Sequence, residues 1–317
     1  MRGAQPFIAI VGPTASGKSE VAQTVAERIG AQVLSADSMQ VYRGMDIGTG
    51  KVLREEMRVV HHGLDLVEPG EPYSVALYQA YGRNILDKAR EDGRQIVICG
   101  GTGFYIRALI DEFDFPAGEQ VDNPVRERYN AILAEHGRHH LWELLKQADP
   151  ESAAIIHEND SKRVVRAFEL LCEGTTYSEQ KRKFATIPQH YPTTMFGLKV
   201  APAVLNDRID SRVDAMVANG LVDEVKALLE RGYRLGLTAQ QAIGYKEIVA
   251  YLDGFTSMDE AVEQIKIATH RYAKRQRTWF RKDARITWID ADEYNAPRLA
   301  DEIIASFERT TQSDGSM

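Results

Sequence analysis

The stretch "FIAIVGPTASGKSEVAQTVAERI", residues 7–29, decides how this chain is read. An apolar run at residues 7–11 meets a glycine-rich turn, and apolar residues at helical spacing follow. That order is strand–loop–helix. Within it stands Gly12-x-x-x-x-Gly17-Lys18-Ser19, the spacing of a phosphate-cradling loop. Glycines let successive backbone N–H groups point at an anion, and a helix N-terminus adds partial positive charge. Lys18 suits phosphate oxygens, and Ser19 suits a Mg²⁺ ion. Gly12, Pro13, Thr14, Ala15, Ser16, Gly17, Lys18 and Ser19 are therefore expected to bind a di- or triphosphate.

Outward from this stretch the rhythm continues. "AQVLSAD" (residues 31–37) and "RQIVICGG" (94–101) read as buried strands, with a helix over 74–92 between them. "TMFGLKV" (194–200) and "ARITWID" (284–290) supply two more. Strands alternating with helices predict an α/β fold, a P-loop NTPase-like, mostly parallel sheet flanked by helices. Between residues 114 and 191 only helical patterns occur, over 123–135, 141–147, 151–157 and 161–172. The expected division is a core of residues 1–113 and 192–317, with 114–191 as an all-helical insertion. Later helices are expected over 203–219, 221–231, 239–251 and 258–280, and residues 310–317 read as a frayed tail.

Composition sets the class. The chain has 317 residues, 44% hydrophobic and 27% charged, enough for a substantial core. No apolar run reaches the roughly 18 residues of a membrane span, and no signal peptide is expected. Cys99 and Cys172 are too few for a disulfide framework or a zinc site and are expected to be reduced and buried. A cytoplasmic location follows. Net charge is −7, yet six Arg or Lys lie between Arg271 and Lys282, and Lys162, Arg163 and Arg166 form a second cluster. Local patches steer a polyanion more than the total does. A solvated helix face is the plainer reading of either cluster.

True NTPases place a metal-holding Asp at the end of a neighbouring strand. Here "IVICGG" ends in Gly100 and Gly101. The comparable acid is Asp37, followed by Ser38, Met39 and Gln40 at a strand's carboxyl end, where open α/β sheets bind ligands. A cap or turn role for Asp37 stays open. His61-His62 and His139-His140 lack further ligands at metal spacing and read as surface or loop residues. Trp142, Trp279 and Trp288 read as core or stem-packing residues rather than platforms for base stacking.

"GPTASGKS" (12–19), "SADSMQVYRGMDIGTGK" (35–51), "GGTGFY" (100–105), "QAIGYKE" (241–247) and "RYAKRQRTWFR" (271–281) together resemble the tRNA dimethylallyltransferase, or isopentenyltransferase, family. The blocks run in order over nearly the whole chain. Gly50 stands where Ala is frequent, and the cysteines of a C-terminal zinc finger are lacking, as in short bacterial members. The resemblance implies that the loop holds the diphosphate of dimethylallyl diphosphate and that the five-carbon group passes to N6 of the adenosine 3′ of the anticodon. It implies Asp37 as general base, Thr14 and Lys18 as catalytic residues, Arg212 on the diphosphate and Mg²⁺ on Ser19. An exposed helix charge is the plainer reading of Arg212.

On the RNA side the resemblance implies that Asp37, Ser38, Met39 and Gln40 contact the target base. Thr102, Arg126, Lys162, Arg163, Val164, Val165 and Arg166 then lie along the tRNA anticodon stem-loop. Gln241, Ala242, Ile243, Gly244, Tyr245 and Lys246 join them. A monomer is implied, with no membrane partner. The run 271–281 is left between lining the RNA path and stabilising the diphosphate end. A phosphate-loop kinase is the competing reading; it leaves the insertion and basic clusters unexplained. An RNA-binding module without catalysis gives the loop no task.

Overall fold

The computed structural model describes residues 5–115, 123–232 and 239–314. Two compact units emerge, one of residues 1–111 with 189–317 and one of 112–188. The first unit is built on six strands: β1 (Phe7–Val11), β2 (Gln32–Ser35), β3 (His61–His62), β4 (Ile96–Gly100), β5 (Thr193–Lys199) and β6 (Ile286–Asp290). Their order across the sheet is β3-β2-β4-β1-β5-β6, and every pairing is parallel. Parallel sheets bury both faces, which is why β1 and β4 are apolar and buried at all five positions. Each fully buried Ile or Val there is worth about 1.5–3 kcal/mol of transfer free energy. The edge strand β6 instead buries only Ile286 and Ile289 of its five residues.

Helix α1 (Lys18–Ile29) follows β1 directly and buries Val21, Ala22, Val25 and Ala26. Gly30, in the left-handed region at φ 68°, ends it, and the Ala31 N–H donates back to the Ala26 carbonyl. Helix α2 (Val75–Glu91) starts where the Ser74 side chain accepts the Leu77 N–H. It packs on α3 (Gly103–Ile110), a helix missing from the sequence reading because only eight residues follow the Gly-Gly turn.

The second unit holds α4 (Pro124–Ala148), α5 (Pro150–Ile155), α6 (Ser161–Cys172) and α7 (Tyr177–Thr186). Gly137, at φ 79° and ψ 173°, kinks α4 where the sequence pattern had a gap. Helix α7 was not expected; its capping box of Thr176 and Glu179 marks its start. Leu141, Leu145, Val164, Val165 and Phe168 form this unit's core, and Tyr129 stacks on Phe168 with ring centroids 3.8 Å apart.

Back in the first unit come α8 (Pro202–Ala218), α9 (Leu221–Glu230), α10 (Tyr245–Leu252), α11 (Met258–Phe280) and α12 (Ala296–Asp314). The helix expected over 239–251 divides into a 3₁₀ turn, Ala239–Gln241, and α10, because Gly244 at φ 95° breaks it. Residues 310–314 continue α12 rather than fraying, and 315–317 lie outside the described residues. No helix among the described residues is long and apolar enough to cross a membrane.

Candidate active site

The loop between β1 and α1 is shaped by two residues in the left-handed region, Ala15 and Gly17. Gly17 lies at φ 84°, and a Cβ there would come within 2.2 Å of the Tyr294 ring, whose hydroxyl donates to the Gly17 carbonyl. Ala15 holds φ 60°, a left-handed conformation costing an L-residue about 1 kcal/mol or more. With no side chain capping α1, its first N–H groups stay available to an anion. Lys18 Nζ donates to the Pro13 carbonyl at 3.3 Å. Burial pulls its ammonium below the ordinary range; Cys99 and Asp37 oppose that shift and Arg212 adds to it. The Ser16 hydroxyl is buried without a hydrogen-bond partner.

Facing this loop is the carboxyl end of β2. Asp37 Oδ1 accepts the Met39 N–H at 2.9 Å, so one oxygen does serve a turn. The Ser38 N–H donates to Thr102 Oγ1 at 3.2 Å, which ties the Asp37 turn to the start of α3. Gln40 accepts the Ser35 hydroxyl at 2.8 Å and aims its amide at the Thr49 and Gly50 carbonyls. Asp37, Gln40, Thr14, Lys18, Ser19 and Arg212 all line one cleft, with Val33, Val52 and Leu64 on its apolar wall.

Arg212 is not an exposed helix charge. From α8 its Nη2 donates to the Thr49 carbonyl at 3.2 Å. Burial lowers its pKa, and Asp37 pulls the other way. His61, read above as a surface or loop residue, sits half-buried in β3 and lines the same cleft. Burial lowers its pKa, and its Nδ1 meets the Val59 carbonyl at 2.9 Å. Trp279 is 42% exposed and packs edge-on against Phe104, with ring centroids 6.5 Å apart.

Several contributors were missed in the sequence. Cys99 lines the cleft beside Ser19, and burial pushes its thiol up to about 11, so it stays neutral. Cys172, expected to be buried, is exposed. Glu224 of α9 accepts the N–H groups of Asp46 at 3.0 Å, Ile47 at 2.7 Å and Gly48 at 3.2 Å, and the Tyr245 hydroxyl at 2.6 Å. That carboxylate holds the loop whose carbonyls receive Arg212 and Gln40. Tyr272 of α11 lies beside Thr102 and Gln276; burial raises its hydroxyl's pKa, and Asp37 adds to the effect.

Other expected residues have different surroundings. Ala242 and Tyr245 are core side chains, 4% and 0% exposed, which leaves Gln241, Ile243 and Lys246 as the accessible side chains of that segment. Val164 and Val165 belong to the core of the helical unit. There Arg126 and Arg166 both bond Glu169, whose side chain is 1% exposed, at 2.6 and 2.8 Å. Burial alone would raise the Glu169 carboxyl, but the two guanidiniums outweigh it and hold it below 4.5. Arg163 pairs with Asp160, its own helix cap. Lys162 is exposed.

No cluster of three or more His, Cys, Asp or Glu side chains suited to a metal occurs among the described residues. Ser19, beside a neutral Cys99, fits a hard ion that keeps most ligands from water and phosphate.

The fold and this cleft define a phosphate-loop transferase. The IPP transferase family matches residues 40–283 and the isopentenyl transferase family residues 6–62. The chain is 43% identical over 302 residues to the tRNA dimethylallyltransferase of Carboxydothermus hydrogenoformans, covering 95% of this chain and 96% of that one. Its fold is similar to the crystal structure of the tRNA isopentenylpyrophosphate transferase of Bacillus halodurans, with a TM-score of 0.71, 39% identity and 98% coverage of both chains. A eukaryotic dimethylallyltransferase acting on tRNA aligns with a TM-score of 0.79 and 27% identity, over 96% of this chain and 80% of that one. The chain belongs to the tRNA dimethylallyltransferase family.

Proposed function

We infer that this enzyme transfers the dimethylallyl group of dimethylallyl diphosphate to the exocyclic N6 of the adenosine 3′-adjacent to the anticodon of a tRNA. One observation carries the reading: the phosphate loop and Asp37 line the same cleft, and Arg212, bonded to the Thr49 carbonyl, lines it with them. In the reaction the donor's C1–O bond breaks, the N6 lone pair forms the new C–N bond, and diphosphate leaves. Negative charge grows on the diphosphate as the bond breaks, so preorganised backbone N–H groups, Lys18 and Arg212 lower the barrier. Thr14 sits on the loop where its hydroxyl can meet the bridging region of the diphosphate. Attack makes the adenine amine acidic, and Asp37 takes its proton. Ser19 would hold a Mg²⁺ ion, which supplies further positive charge at the leaving group.

The target base reaches this cleft only when taken out of its stack, as anticodon-loop bases can be. Gln40 of the cleft wall and, beside Asp37, Ser38 and Thr102 make its contacts with the enzyme. Met39 is half-buried against the core of the first unit. Lys162 and Arg163 of the helical unit bind RNA phosphates, and Gln241 and Lys246 contribute from the first unit. The enzyme works as a cytoplasmic monomer. A thermal-shift comparison tests the donor: dimethylallyl diphosphate with Mg²⁺ raises the Tm at micromolar concentration, while ATP and GTP do not. Stabilisation by ATP alone would favour a kinase.

A further inference from the structure

Helix α11 carries the basic run, yet the run has two faces. Lys274, Arg275 and Arg281 are exposed, whereas Ala273, Gln276 and Phe280 point inward at helical spacing. Gln276 is the only polar member of that inward set and is 5% exposed. Its Oε1 accepts the Thr14 N–H at 2.8 Å, and its Nε2 donates to the Gly101 carbonyl at 2.9 Å. One buried amide thereby joins the phosphate loop to the turn that follows β4. The next residue of that turn, Thr102, receives the Ser38 N–H beside Asp37. The Thr14 N–H is committed to this contact, so Thr14 meets a ligand through its hydroxyl. Gly101 leaves room for the arrangement, because a Cβ there would lie 2.2 Å from Gln276 Nε2.

We propose that Gln276 is a positioning residue for the transfer reaction, its amide setting the separation between the diphosphate loop and the turn that carries Thr102, Ser38 and Asp37. This rests on the function proposed above. The amide acts as a spacer with a donor at one end and an acceptor at the other, which no apolar side chain of equal length reproduces. The basic run thus serves the diphosphate end through buried Gln276 rather than through its exposed cations.

The test uses the full chain and two ligands, inorganic pyrophosphate and dimethylallyl diphosphate. Gln276→Met keeps length and burial but removes both hydrogen bonds. It is expected to weaken pyrophosphate binding about tenfold and to slow single-turnover transfer at saturating donor by about tenfold more, with tRNA affinity within about twofold. Gly101→Ala, which pushes the amide aside from the opposite end, is expected to give the same pattern and carries the test should Gln276→Met fail to fold. In the double variant the two effects are expected not to multiply, since both remove one contact. Phe307→Leu, a core change on α12, serves as the stability control. The proposal is overturned if Gln276→Met and the control lose Tm, donor affinity and rate in parallel, or if the Gly101 and Gln276 effects multiply. Pyrophosphate binding is read without tRNA, so absence of transfer in the unmutated protein counts against the proposed function alone.

Discussion

Replacing Asp37 by Asn separates proton removal from every other task in the cleft. Asparagine keeps a carbonyl oxygen where Asp37 Oδ1 accepts the Met39 N–H at 2.9 Å, so the turn and its tie to Thr102 survive. The amide cannot take a proton from N6 at a useful rate. General-base catalysis is worth about 10²–10⁴-fold, or about 3–5 kcal/mol of barrier, and single-turnover transfer is expected to fall by that factor. Asp37 also pulls on Lys18 and Arg212 electrostatically, so losing its charge leaves both cations more strongly available to the diphosphate. Donor affinity is therefore expected to hold or rise slightly, and tRNA affinity to change by a few fold. The assay is single-turnover transfer together with donor binding, measured across a Mg²⁺ series. Weakened donor binding that higher Mg²⁺ restores, with the rate recovering in parallel, would refute the reasoning and make Asp37 a metal ligand.

Lys18→Ala is expected to abolish transfer through loss of pyrophosphate binding while tRNA affinity, read by filter binding, stays within about twofold, because Lys18 lines the cleft beside the phosphate loop, where the diphosphate is proposed to bind. Lys162→Ala with Arg163→Ala is expected to weaken tRNA binding and to lower the slope of log K against log salt by about 1–2, with donor affinity unchanged. Arg126→Ala behaves differently, since it strips a partner from nearly buried Glu169. It is expected to cost about 1–3 kcal/mol in urea unfolding of the full chain, limited because Arg126 is itself 42% exposed and Arg166 remains. Glu169 binds its proton more weakly folded than unfolded, so its ion pairs contribute fully above about pH 4.5 and fade as pH falls through the depressed folded value. Hydrogen-exchange protection in α6, taken relative to the intrinsic exchange rate at each pH, is expected to stay constant above that pH and to fall below it; a loss of protection beginning near neutrality would contradict the assignment.

Elements with long periodic signals were legible from residues alone. The strand–loop–helix of residues 7–29 and the helix Met258–Phe280 stand where their apolar spacing placed them. His61 and His62 carry no such signal, because a two-residue edge strand has no period and exists only through its pairing with Val33 and Leu34. Helix α7 hides for a related reason: its mean character is polar, and only its capping box announces it. In the cleft, the phosphate loop and Asp37 lie at the ends of apolar strands and could be placed by topology. Glu224 and Gln276 could not, since they act on residues about 177 and 262 positions away and sit among ordinary helix charges. The inward spacing of Ala273, Gln276 and Phe280 was the one available sign that a basic run had a second face. The same spacing argument explains why Val164, Val165 and Tyr245 proved to be core: motif membership names a segment, whereas burial decides which of its side chains reach a partner.

The central claim is that this cleft passes an allylic group from a diphosphate to a tRNA adenosine. The most direct measurement incubates the purified chain with unmodified tRNA, Mg²⁺ and dimethylallyl diphosphate, with no ATP, and analyses the digested nucleosides by mass spectrometry. The account expects one adenosine, immediately 3′ of the anticodon, to gain a C5H8 unit on N6, with one diphosphate released for each group transferred. Unmodified tRNA under these conditions, with phosphate transferred or released once ATP is added, would contradict it.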